Sequence, residues 1–454
     1  MQIQSKQVSP VEVTGMMLER IASVDAALHS YVTVMAEAAM DSARQAEREI
    51  RAGNYRGPLH GMPIAVKDLC YTRGVRTMGG TRVLADFVPE YDATVVARLK
   101  SAGAVILGKL TLCEGAMGPY HPDLEVPVNP WDETRWSGVS SSGSGVAAAA
   151  GLCFACIGTD TGGSIRYPSA ANGCVGLKPT YGRVSRHGVL ALAESLDHVG
   201  PMARSVEDTA ILFEAMAGFD AHDPTSRREA VEPVGPALEQ GVKGLRIGFD
   251  RRFAADGVEP GLVRALDAVL KQLSELGAEI VDVAVPDVTP VALAWWQLST
   301  AEAAAFHADA FPSRAREYGP GFRDVLEYGA GVSGVTYANA AKVRAEFSGR
   351  LERVLAEVDC LVCPSMSNAA REKLADPFGP ERDEDWASQV LNDVHTKPFN
   401  FSGSPTLSVP CGFSADGLPY SVQFAGSALS EAMLCRIGHA YEQVTPWHDR
   451  HPMV

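Results

Sequence analysis

The chain has 454 residues, 46% of them hydrophobic, which is enough to bury a large core, and its 43 glycines and 28 prolines collect in no disordered tract. A formal net charge of -15 excludes a generic nucleic-acid surface, because phosphate binding needs a basic field. Nine cysteines make no disulfide framework, and Met1 to Glu12 shows no basic segment leading into a long apolar run, so a cytoplasmic protein without a signal peptide is expected.

Residues 11–53 read mainly as helix, because apolar positions recur three or four apart in VEVTGMMLERIASVDAALHSYVTV and AEAAMDSARQAEREIRAG, up to a stop at Gly53. After a turn-rich stretch, Pro63 to Val66 is a short apolar run that ends at Lys67. Asp92 to Ser101 reads as an amphipathic helix and Ala104 to Leu107 as a buried strand. Val146 to Ile157 is almost wholly apolar and reads as a core helix between two glycine–serine segments. It falls short of the roughly 20 residues a membrane span needs. Ser205 to Met216 is another helix, and the polar stretch 219–243 a linker or excursion. Residues 245–250 read as strand, and residues 260–286 as helix, a turn at Gly277, then strand. Residues 291–350 are mainly helical. Residues 357–364, 406–410 and 421–424 are strand-like, and a helix runs near 428–443. Strands and helices alternate throughout, which argues for an α/β fold.

Two motifs carry no chemistry. Gly103 to Lys109 has the outline of a phosphate-binding loop, but Leu110 follows the lysine and offers no hydroxyl to magnesium, and Val105-Ile106-Leu107 is strand, not a flexible cradle. The pairs Cys153/Cys156 and Cys360/Cys363 have zinc-ligand spacing. The first pair lies in an apolar run and the second on opposite faces of a strand, so inert thiols are expected. None of the 11 histidines belongs to a catalytic or metal motif.

The informative segment is SGVSSSGSGVAAAAGLCFACIGTDTGGSIR, residues 137–166. Acyl transfer needs a nucleophilic hydroxyl and backbone N–H groups aimed at the developing oxyanion. Thr161-Gly162-Gly163 brings such groups close, since glycine permits tight approach, and Ser164 directly after them is placed to attack. Asp160 and Arg166 flank the loop and can brace it.

These segments, with GMPIAVKD (61–68), GTDTGGSIRYPSAANGCVGLKPTYGRVSR (158–186) and SLDHVGP (195–201), resemble the amidase signature family across essentially the whole chain. The resemblance implies a single amidase domain over residues 1–454, with a central mixed twisted sheet covered by helices on both faces. Its parts are an N-terminal helical region (11–53), a signature core (61–216), a variable helical region (about 219–350) and the rest of the core (351–454). It implies Ser164 as nucleophile, Ser140 as a proton bridge held by a cis peptide bond, and Lys67 as base. The backbone N–H groups of Thr161, Gly162, Gly163 and Ser164 would form the oxyanion hole. Val139 and Ser142 stand where the family usually has glycine. No metal or organic cofactor is implied.

The expected reaction is hydrolysis of a small-molecule amide to a carboxylate and ammonia or an amine. Alternatives are the glutaminase-type subunit of a tRNA-dependent amidotransferase and an inactive scaffold of the same fold. No nucleic-acid or membrane partner is expected, and a homodimer is the candidate assembly. Trp295, Trp296, Phe306 and Phe311 fit either core packing or a hydrophobic acyl pocket. In a strand-like segment neighbouring side chains alternate, so Asp68 is expected to face away from Lys67.

Overall fold

A computed structural model describes residues 2–379 and 394–454. Among the described residues eleven strands form one sheet: β1 (Tyr31–Val34), β2 (Pro63–Lys67), β3 (Val105–Leu110), β4 (Ala155–Asp160), β5 (Val175–Lys178), β6 (His198–Ala203), β7 (Arg246–Phe249), β8 (Glu279–Asp282), β9 (Cys360–Pro364), β10 (Thr406–Phe413) and β11 (Pro419–Ala425). Their order is β1-β3-β2-β4-β6-β5-β10-β11-β9-β7-β8. The sheet is mixed. β2 runs parallel to β3 and β4, and β7 runs parallel to β8 and β9, whereas the β6, β5, β10 and β11 pairings are antiparallel.

Both faces are covered, and the strand period shows why. Ile64 and Val66 of β2 join one apolar cluster, while Ala65 between them joins another. Cys360 and Cys363 of β9 divide in the same way between two clusters. The helix Pro260–Glu275 buries Leu262, Leu266, Val269, Leu270 and Leu273, one stripe at helical spacing.

Two expectations are corrected. The first helix does not run through Val34: it spans Pro10–Leu28 and stops at His29, whose φ of 54° is left-handed. Tyr31-Val-Thr-Val then pairs with β3 as an edge strand, which suits its β-branched content. The apolar run Val146 to Ile157 is likewise not one helix. Helix Ser142–Ala149 ends before Gly151, whose φ is 66°, and the run continues as β4. Alanine and glycine dominate this helix because it packs close to backbone: a Cβ on Gly143 would lie 2.6 Å from the carbonyl oxygens of Ser30 and Thr111.

Candidate active site

β2 and β4 are parallel neighbours, so the carboxyl end of one lies beside that of the other, where open α/β sheets place their ligands. Lys67 ends β2, and β4 ends at Asp160 and runs straight into the loop 161–164. Ser140 precedes the helix Ser142–Ala149, and the Val139–Ser140 peptide bond is cis.

Lys67 is fully buried. Its Nζ lies 2.7 Å from Ser140 Oγ, 2.9 Å from Ser141 Oγ and 2.7 Å from Thr159 Oγ1. Burial draws its pKa down to about 8, against the opposing pull of Cys113, Cys70, Asp160 and Asp197. The Ser141 hydroxyl donates to the Thr159 carbonyl at 3.1 Å, so it must accept from Lys67. A neutral amine has two protons and one lone pair. It can donate to Ser141 and Thr159 and accept from Ser140. Ser164 is next to this group: its carbonyl accepts from the Ser141 N–H at 3.3 Å, and its side chain reaches the wall of a cavity of about 1070 Å³ while remaining only 8% exposed.

Asp68 points away from Lys67. Its carboxylate accepts from the Met78 N–H at 2.9 Å and lies 3.1 Å from Lys109 Nζ. Lys109, the lysine of the rejected phosphate loop, is therefore a buried structural cation.

Asp160 and Arg166 form a buried ion pair at 2.8 Å that organises the loop. Asp160 also accepts from the N–H groups of Gly163 (2.8 Å) and Ile165 (3.1 Å) and from Asn400 Nδ2 (2.9 Å). Burial alone would raise the Asp160 pKa, but Arg166, Lys178 and Asn400 hold it well below the ordinary carboxylate range. One of the four N–H groups expected to form an oxyanion hole is engaged as a result. The Gly163 N–H is turned onto Asp160, whereas those of Thr161, Gly162 and Ser164 have no partner among the described residues. Gly163 has φ of 140°, and a Cβ there would lie 2.3 Å from the Tyr167 ring, so only glycine fits.

Several further residues support the site, none of them given a role by the sequence patterns. Thr161 Oγ1 donates to Asp197 at 2.6 Å, and Asp197 also receives the Leu192 and Ala193 N–H groups, while burial pushes its pKa up to about 6. Thr396 Oγ1 donates to the Gly162 carbonyl at 2.6 Å. Arg166 also reaches the Thr396 carbonyl, Gln423 and Asn400. Ser142, at a usual glycine position, accepts from Tyr120 at 2.7 Å. His198 is buried, and its imidazole pKa is pushed well down by that burial and by Lys178. The four aromatics divide. Trp295 and Trp296 line the cavity, Phe306 is 41% exposed and Phe311 packs against Tyr318.

Cys153, Cys156, Cys360 and Cys363 are buried thiols without disulfides. Among the described residues no cluster of His, Cys, Asp or Glu could hold a metal ion, and no helix is long and apolar enough to cross a membrane.

The amidase family model matches residues 12–435, so the chain belongs to the amidase family. A Mycobacterium tuberculosis relative that carries the name of an amidase, AmiD, is 46% identical over 452 residues, covering 100% of this chain and 94% of that protein. A glutamyl-tRNA(Gln) amidotransferase subunit from Thermosynechococcus vestitus is 39% identical, covering 100% of this chain and 98% of its own length. The native peptide amidase of Stenotrophomonas maltophilia superposes with a TM-score of 0.85 at 31% identity, covering 100% of this chain and 96% of that one.

Proposed function

We propose that the chain hydrolyses a carboxylic amide through an acyl-enzyme, with Ser164 as nucleophile, Ser140 as proton bridge and Lys67 as base. The observation that carries this reading is the fully buried Lys67 amine, bonded to Ser140 and drawn towards neutrality beside a loop of open N–H groups. Neutral Lys67 takes the Ser140 proton as Ser140 takes that of Ser164, and Ser164 Oγ bonds to the amide carbon. The oxyanion rests on the N–H groups of Thr161, Gly162 and Ser164. The proton returns along the same path to the leaving nitrogen as the C–N bond breaks. Water, deprotonated by the relay, then attacks the ester and frees the carboxylic acid.

The substrate side of the cavity favours a hydrophobic or aromatic acyl group, since Trp136, Tyr167, Trp295 and Trp296 line it and its volume of about 1070 Å³ far exceeds a glutamine side chain. The likeness to amidotransferase subunits keeps one rival in view, a glutaminase that works only within an assembly. The purified chain is to be assayed against aryl, aliphatic and peptide amides and glutamine, with ammonia and amine release both measured. Turnover of aryl or peptide amides by the chain alone is the expected result. Activity confined to glutamine, or dependent on partner subunits and charged tRNA, would reverse the assignment.

A further inference from the structure

The open N–H groups of the loop 161–164 are useful only if they are aimed, and their own hydrogen bonds do not aim them. What can aim them is the hold on the carbonyls. A trans peptide is planar, with its C=O and N–H pointing opposite ways, so fixing one fixes the other. The Gly162–Gly163 unit shows this: its carbonyl accepts from Thr396 Oγ1 at 2.6 Å, and its N–H points to Asp160 at 2.8 Å. The preceding unit is held by a residue outside every signature segment. Trp295 Nε1 donates to the Thr161 carbonyl at 2.8 Å, which sets the direction of the Gly162 N–H on the same peptide.

The indole also presses on the loop. A Cβ on Gly162 would lie 2.5 Å from Trp295 Cζ2, so glycine here makes room for the ring. Trp295 is only 8% exposed, yet it lines the large cavity, and Lys397 Nζ sits 5.2 Å from its ring centroid. One side chain therefore touches the space where the acyl group would sit and grips the peptide that would meet the oxyanion.

We propose that Trp295 is a positioning and specificity-determining residue. It aims the Gly162 N–H, and an acyl group seated against its ring tightens that hold, so contact at the pocket wall appears in turnover rather than in binding alone. The inference rests on the amide-hydrolase reading. It assigns to helix Thr289–Phe306, which carries none of the relay groups, a direct hold on the oxyanion loop.

The test is Trp295→Phe, which keeps an aromatic wall and removes the N–H donor. A benzothienylalanine at the same position keeps the indole's shape as well and guards against a packing artefact. Pre-steady-state acylation, KM, inhibition by an aryl trifluoromethyl ketone that forms an oxyanion on Ser164, and inhibition by the carboxylate product are measured for each. Misaiming one oxyanion donor should slow acylation about tenfold to a hundredfold. Trifluoromethyl ketone affinity should fall by a similar factor, with KM and product inhibition changed by less than about threefold. A rise in KM with acylation untouched would make Trp295 only a wall, as would equal losses for the ketone and the product. A wild-type protein that releases neither ammonia nor amine would sink the hydrolase reading and this inference with it, whereas active wild type with an unaffected benzothienyl variant would sink the inference alone.

Discussion

The base should reveal itself in the pH dependence of acylation. The ordinary lysine value of 10.5 leaves roughly three amines in ten thousand neutral at pH 7, whereas the Lys67 value of about 8 leaves roughly a tenth. Burial thus enriches the working form about three-hundredfold, the equivalent of about 3 kcal/mol. We expect the acylation rate to rise about tenfold from pH 7 to pH 9 and then level off, as the neutral fraction approaches one. Stability carries the same signature. The folded pKa lies below the unfolded one, so between about 8 and 10.5 the unfolded chain holds a proton that the folded chain has lost. The contribution of Lys67 to stability therefore rises with pH across that window and is unfavourable below it. Lys67→Met should abolish turnover and remove that part of the slope in urea unfolding between pH 8 and 10. Lys67→Arg should not rescue the rate, because arginine stays protonated. Single-turnover acylation across pH 6 to 10 is the decisive assay. A flat profile, or a midpoint near 6.5 that survives in Lys67→Met, would refute the lysine relay and point to a histidine.

Two further outcomes follow from the geometry. Ser164→Ala should cost at least about a thousandfold in turnover and leave the fold intact, with Ser140→Ala costing less because it spares the nucleophile; a serine-directed phosphonate should be found by mass spectrometry on Ser164. Asp160→Asn should destabilise by about 3–5 kcal/mol in urea unfolding, since Arg166 is left as a buried charge without its counter-ion. The depressed Asp160 pKa makes its stabilisation fully present above the unfolded value of 3.8 and lost as pH falls below it, so the gap between variant and wild type should narrow in acid.

The proposed relay residues stood out in the sequence because each sits in a short local pattern: Lys67 at the end of an apolar strand, Ser140 and Ser164 in glycine–serine turns that lead into helices. Asp160 and Arg166, flanking the loop, were legible as its brace, but the supports that reach it from distant segments were not. Trp295 meets the loop across 134 residues and Asn400 across 240, and no periodicity encodes such contacts. Thr159 had a weaker signal, since strand alternation and the parallel pairing of β2 with β4 bring it beside Lys67 only once the pairing is known. The helix misread from Val146 to Ile157 has a similar cause. An unbroken apolar run fits a buried helix or a buried strand equally, and only Gly151 marks the change. Of the four N–H groups expected to form the oxyanion hole, that of Gly163 is engaged by Asp160, which flanks the loop in sequence.

The proposed role of Lys67 as base depends on how the carboxylates around it are engaged. Asp68 is matched by Lys109 and Asp160 by Arg166, although the Asp160 charge still pulls the Lys67 pKa up. Asp197 is met by a hydroxyl and backbone N–H groups instead of a cation. It is buried, which pushes its pKa up to about 6, and its charge, like that of Asp160, is one of the influences that hold the Lys67 pKa up. Near pH 7 it is ionised, and it stabilises the protonated, idle form of the base. Asp197→Asn keeps an oxygen for the Thr161 hydroxyl and removes the charge. The midpoint of the acylation profile should therefore move to lower pH, even if losing a buried acceptor costs about 1–3 kcal/mol of stability. Pocket binding should be little affected, so the shift should appear in the single-turnover rate and not in KM. A midpoint that stays put or moves to higher pH would mean that Lys67 does not feel Asp197.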